Sequence, residues 1–207
     1  MLQDSPPRLY IIEGIPGSGK DTLVRTLLHV LHSETRPVYY YPEEALGFSY
    51  LHMYWPGMTI VRLSLLEAAL DFVEEESRRL SRAVFIFNRF HLSFAVTLEE
   101  TEQDPRITER YAQIIERLSR LPVLVFLLEL ETEKIDSVLH LERARRGRVW
   151  RLFLQRRIDE SPNQTPQEFY RAQQEQFKLK AKEQGLPYRA GTLTELLRFE
   201  SEKVHPI

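Results

Sequence analysis

The sequence predicts an α/β fold built on a mostly parallel, doubly wound sheet. Four short apolar runs, Leu9 to Ile12, Val38 to Tyr41, Val84 to Phe87 and Val123 to Leu128, are rich in β-branched and aromatic residues. Their unbroken hydrophobicity is that of strands buried on both faces. They alternate with longer segments whose apolar residues recur at helical spacing, the pattern of βαβ units. The first run also passes directly into a glycine-rich loop and a leucine-rich helix.

The elements follow in order. After the first strand, Gly19 to Leu31 carries Leu23, Val24, Leu27, Leu28 and Leu31 on one helical face. The second strand is Val38 to Tyr41, and after Thr59 the spacing of Leu63, Leu66, Leu70 and Val73 predicts the next helix. Val84 to Phe87 is the third strand; after Pro105, Ile107, Tyr111, Ile114, Ile115 and Leu118 predict another helix. Beyond the fourth strand, helices are expected over 132–146, 166–183 and 192–202, with a weaker fifth strand around Pro187 to Ala190. There is no internal repeat, so residues 1–207 read as one domain. In such sheets ligands bind beyond the carboxyl ends of the strands, which places the site after Ile12, Tyr41 and Phe87.

Composition narrows the function classes. With 207 residues, 43% of them hydrophobic, the chain can bury one substantial core. A net charge of −2 argues against a nucleic-acid partner, which usually demands a strongly basic face. The absence of cysteine excludes disulfides, thiolate nucleophiles and cysteine zinc sites. The six histidines show no metal-ligand spacing. The polar start, Met1 to Arg8, lacks a signal-peptide core, and the apolar runs are too short to span a bilayer. A cytoplasmic protein without a membrane partner is expected.

The first strand runs into Gly14-Ile15-Pro16-Gly17-Ser18-Gly19-Lys20-Asp21-Thr22. This is Gly-x-x-x-x-Gly-Lys between a strand and a helix, the arrangement that cradles the phosphates of ATP. Glycines let backbone N–H groups turn inward, the helix start adds its positive end, and Lys20 supplies a mobile charge for the β- and γ-phosphates. Asp21 stands where Ser or Thr usually helps hold Mg²⁺, and Thr22 follows it. Both are candidate metal residues. For Asp21 an equal alternative is an acidic first-turn residue favoured by the helix dipole.

The third strand ends at Asn88-Arg89-Phe90-His91. Here the sequence resembles the thymidylate kinase-like branch of the P-loop nucleoside and nucleotide kinases, in which this strand commonly ends Asp-Arg-Tyr. Arg89 matches the arginine and Phe90 the aromatic, whereas Asn88 replaces the carboxylate. Asp21 is then the acid that would compensate from the other side of the site. The resemblance continues at Leu141, Arg143, Gly147 and Arg151, and at Phe169-Tyr170-Arg171, Phe177 and Ala181. It implies a three-layer P-loop kinase fold with a five-stranded parallel sheet in the order 2-3-1-4-5. It also implies ATP as donor, Mg²⁺ as cofactor and often a homodimer.

An arginine-rich stretch, with Arg143, Arg145, Arg146, Arg148, Arg151, Arg156 and Arg157, reads as a lid over about 143–160. Guanidinium groups suit the spread negative charge of a moving phosphoryl group. Arg143 and Arg148 are expected to reach the phosphates, with Arg151 beside them. The alternative is a solvated basic face.

On the acceptor side, Tyr41, Glu43 and Glu44 follow the second strand and join Arg89 and Phe90. The related kinases carry an acidic-proline element here, often with an arginine that this chain lacks. A carboxylate without it suits a base for a hydroxyl. The aromatics from Tyr39 to Trp55 either stack a planar base or pack in the core. Glu67 and Asp71 either line the acceptor pocket or form a solvated helix face. Three functions are open: a nucleoside monophosphate kinase, a nucleoside or other small-alcohol kinase, and a nucleotide-binding protein without turnover.

Overall fold

The computed structural model describes residues 7–33, 36–48, 57–98 and 104–204. Strands β1 (Leu9–Gly14), β2 (Val38–Tyr41), β3 (Val84–Asn88), β4 (Val123–Leu128) and β5 (Tyr188–Gly191) pair in parallel in the order 2-3-1-4-5. Among the described residues, eight helices flank them: α1 (Lys20–Ser33), α2 (Met58–Arg79), α3 (His91–Leu98), α4 (Pro105–Ser119), α5 (Ile135–Arg145), α6 (Gly147–Asp159), α7 (Pro166–Gln184) and α8 (Leu193–Val204). This is the three-layer α/β fold, with the strand order that the resemblance implies.

Strand side chains alternate between faces, and here both faces are covered. Leu9 and Ile11 join Phe85, Phe87, Val125 and Leu127 in the layer that holds Leu66 and Leu70 of α2, Phe94 of α3 and Phe177 of α7. Tyr10, Ile12, Ile86, Phe126 and Leu128 face the opposite way, onto Leu23, Leu27 and Leu31 of α1 and Leu196 of α8. Every residue of β1, β3 and β4 is buried, which is why those runs show no polar alternation. Glu13 keeps the parity of Leu9 and Ile11, so its carboxylate enters the first layer.

The helices depart from expectation in three places. α3 has no predicted counterpart: His91, Leu92, Phe94, Ala95 and Val96 are all buried, so no polar stripe reveals its period. The helix expected over 132–146 is a 3-10 turn, Thr132–Lys134, followed by α5. The lid expected over 143–160 comprises the end of α5 and all of α6. They are separated by Arg146, and α6 opens on Gly147 at φ 73°, a left-handed conformation that glycine adopts without a Cβ clash. Trp150, Leu154 and Ile158 form an apolar stripe, at 1%, 1% and 4% exposure, that docks α6 on the core.

α2 and α4 are joined by ion pairs. Arg110 holds Glu67 at 2.7 Å, and Arg117 holds Asp71 at 2.7 Å and Glu74 at 2.8 Å. Glu67 and Asp71 therefore serve this helix contact and do not line the cavities described below. Among the described residues, no helix is long and apolar enough to cross a membrane.

Candidate functional site

The carboxyl ends of β1, β2 and β3 converge as the topology requires. The glycine loop leaves β1 and turns into α1, with Ser18 N donating to Ile15 O and Leu23 N to Gly19 O. Among the described residues, nothing accepts from the N–H groups of Gly17, Gly19 and Lys20. Such a set of unpaired donors at a helix start can receive an anion. Lys20 is 7% exposed, and its Nζ donates to the carbonyls of Gly14 at 3.0 Å and Ile15 at 2.9 Å. Burial, then the like charge of Arg89, pushes this amine down to about 7, against the pull of Glu43 and Asp21.

α5 rests on this loop. Gly17 has φ 77°, and a Cβ there would lie 2.2 Å from Val138 Cγ1. Gly17→Ala is expected to destabilise the protein by about 1–3 kcal/mol through backbone strain and this collision. A lowered urea midpoint would record it; an unchanged midpoint would mean that α5 does not constrain the loop.

Around the loop lies a polar cavity lined by Gly17, Gly19, Lys20, Asp21, Thr22, Arg25, Glu43, Glu142, Arg145 and Arg146. Asp21 Oδ1 accepts from Asn88 Nδ2 at 3.0 Å, so the two departures from the family pattern touch each other. Asn88 Oδ1 is buried without a hydrogen-bond partner. Glu142 pairs with Arg146, and with Arg145 at 3.8 Å.

A second cavity adjoins the first. Glu43, Arg89, Arg146 and Arg157 line it together with Phe48, Trp150, Phe153, Phe169 and Phe177. Arg146 lies 5.7 Å over the Trp150 ring and Arg157 5.9 Å over that of Phe169, contacts that steady both guanidinium groups. Arg89 sits at φ 69°, rare for a non-glycine residue; its Nε donates to Glu43 Oε2 at 2.8 Å. Burial would raise the Glu43 carboxyl. The charges of Arg89 and Lys20 and the bond from Arg89 outweigh it and hold Glu43 below the usual carboxylate range. Glu43 and Arg146 line both cavities.

The sequence expectations divide accordingly. The loop residues, Lys20, Asp21, Thr22, Glu43 and Arg89 come together, with Ile15 buried beneath the loop and Pro16 on the second cavity. Glu44 is exposed and lines neither cavity. Tyr41 packs edge-on against Phe72 and Phe87 because strand alternation points it at α2. Tyr40, on the opposite face, is the β2 tyrosine whose hydroxyl lies by Asn88 and feels Asp21. Phe90 is 0% exposed and packs at a tilt against Phe87 in the core. Arg148 and Arg151 are exposed on α6, one helical turn apart and away from the stripe of Trp150 and Leu154. The side chain of Arg143 and residues Tyr50, His52, Tyr54 and Trp55 lie outside the described set.

Of the predicted arginine cluster, among the described side chains, Arg145, Arg146 and Arg157 reach the cavities, and they were not its expected members. Only the α5–α6 break and the inward stripe of α6 single them out, and a helix over 150–158 in the sequence reading would have found Arg157 at spacing i+7 from Trp150.

Fold and geometry define a three-layer α/β protein with a glycine loop, a buried lysine and two adjoining cavities at one edge of the sheet. No protein-family model matches this chain, and no curated protein matches it. The likeness to thymidylate kinase-like enzymes accordingly rests on the short motifs quoted above.

Proposed function

We propose that this protein transfers a phosphoryl group from ATP to a small phosphorylated acceptor, a nucleoside monophosphate by preference, in the cytoplasm. One observation carries the reading. A polar cavity with unpaired N–H donors and Lys20 meets an aromatic cavity bearing Arg89, Arg146 and Arg157, and Glu43 and Arg146 stand at the junction. Donor phosphates would occupy the first and the acceptor's planar body the second. The three guanidinium groups that line that cavity can pair with the oxyanion of an acceptor that brings its own negative charge.

The oxygen donors suit Mg²⁺. Asp21 retains a carboxylate oxygen beyond the one that Asn88 contacts, and Thr22 and Glu43 face the same cavity. Among the described residues no group of three or more His, Asp or Glu is arranged to hold a metal, but Mg²⁺ commonly takes only one or two protein carboxylates with water and phosphate oxygens. Asp21 and Thr22 would hold it, where it would neutralise charge on the donor phosphates. Within the chain, Lys20 would grip the far phosphate, Arg146 would face the group in flight, and Arg89 would orient the acceptor.

Glu43 favours a second reading. An ionised carboxylate at the junction can take the proton of an attacking hydroxyl, as a nucleoside or alcohol kinase requires. A coupled ADP-release assay over matched nucleosides and monophosphates separates the two. Faster turnover with monophosphates is expected. Preference for the nucleosides would transfer the assignment to the second reading, and ATP binding without ADP release on any acceptor would leave a nucleotide-binding protein.

A further inference from the structure

Glu13 is a carboxylate at 0% exposure that the scheme above leaves unused. It lies between Ile12, whose carbonyl accepts from Arg89 N at 2.9 Å, and Gly14, whose carbonyl holds Lys20. Its Oε1 accepts from the N–H groups of Phe90 at 2.8 Å, Leu92 at 3.1 Å and Ser93 at 3.2 Å. Its Oε2 accepts from Ser93 Oγ at 2.5 Å. Ser93 Oγ in turn accepts from Arg89 Nη1 at 3.2 Å. A carboxylate on the neighbouring strand thus closes the β3–α3 turn and reaches the guanidinium of Arg89 through one hydroxyl.

We infer that Glu13 is a positioning residue for Arg89, acting through Ser93; the inference rests on Arg89 serving the acceptor as proposed above. Burying an ionisable group with four donors around it is costly for a turn that an ordinary cap would close. What this arrangement adds is direction. Arg89 occupies a left-handed backbone conformation that few non-glycine residues tolerate, and the three N–H bonds follow immediately after it. With the backbone held, Nε points at Glu43 and Nη1 at Ser93, so the guanidinium plane is fixed at both edges on the floor of the aromatic cavity. A fixed fork binds an oxyanion without the entropy cost of ordering a long side chain. Because Glu13 precedes Gly14, the same residue ties the acceptor arginine to the donor loop.

Two variants test this. Ser93→Ala leaves the three N–H bonds to Glu13 in place and cuts the path to Arg89. Glu13→Gln keeps an acceptor for those N–H groups but presents a donor to Ser93. Both are expected to raise the acceptor KM about tenfold with the ATP KM unchanged, and Ser93→Ala, which keeps the three N–H bonds, should also leave the melting temperature unchanged. Independently of turnover, ¹⁵N-arginine NMR should show separately resolved Arg89 Nη–H signals in the parent protein, assigned by their loss in Arg89→Lys, because Ser93 holds Nη1; in both variants rotation about the Nε–Cζ bond should average them. An Arg89 signal unchanged in both variants would overturn the inference. So would a parallel rise of both KM values with a fall in melting temperature, which marks a purely structural residue. If no acceptor is phosphorylated at all, the functional reading fails and the NMR result alone decides the role of Glu13.

Discussion

Lys20→Ala is expected to lower turnover by about 10²–10³-fold and ATP affinity by about ten- to a hundredfold. The amine is buried in its own loop, where the carbonyls of Gly14 and Ile15 are its partners and burial with Arg89 pushes it down to about 7. A polyphosphate would draw it back to the ammonium form by bringing opposite charge to the loop. The sign is testable. At pH 8 the free protein carries a largely neutral Lys20, so ATP binding should take up a proton at this residue; at pH 6 Lys20 is already charged and contributes none. Calorimetric titration in two buffers of different ionisation enthalpy reads the uptake, and Lys20→Ala should remove it. Equal ATP affinity in the variant would move the donor site elsewhere.

Arg146→Met is expected to reduce kcat by about 10³-fold while both KM values change only a few-fold. Arg146 faces both cavities and is held by Glu142 and the Trp150 ring, so it can meet the equatorial oxygens of a group passing between them. Methionine keeps an apolar stem on Trp150 and removes the charge. Arg148→Met and Arg151→Met, on the exposed face of α6, should keep kcat within about twofold. A lid that used those exposed arginines would reverse this ranking. Steady-state kinetics on the four proteins decides between them.

Local chemistry determined much of this protein. Strands buried on both faces must be continuously apolar, so β1, β3 and β4 were readable as such, and a glycine loop between strand and helix has few other causes. α7 was legible end to end, since Thr165 and Glu168 form a capping box, Pro166 opens the helix and Gly185 closes it at φ 66°. What spacing could not convey was direction across elements. β2 is partly exposed, so nothing in its tyrosines distinguished Tyr40, beside Asn88, from Tyr41, in the core. The choice among seven arginines hung on where α5 stops and how α6 docks, which Gly147 and the burial of Trp150 decide together. Glu13, just past the apolar run Leu9 to Ile12, carried no signal of its own, because its partners Phe90, Leu92 and Ser93 lie about eighty positions away and meet it only when β3 pairs with β1. Sequence by itself determined the layers and the loop, which are properties of single segments. Tertiary structure decided which charges share a cavity, because that depends on the register between segments far apart in the chain.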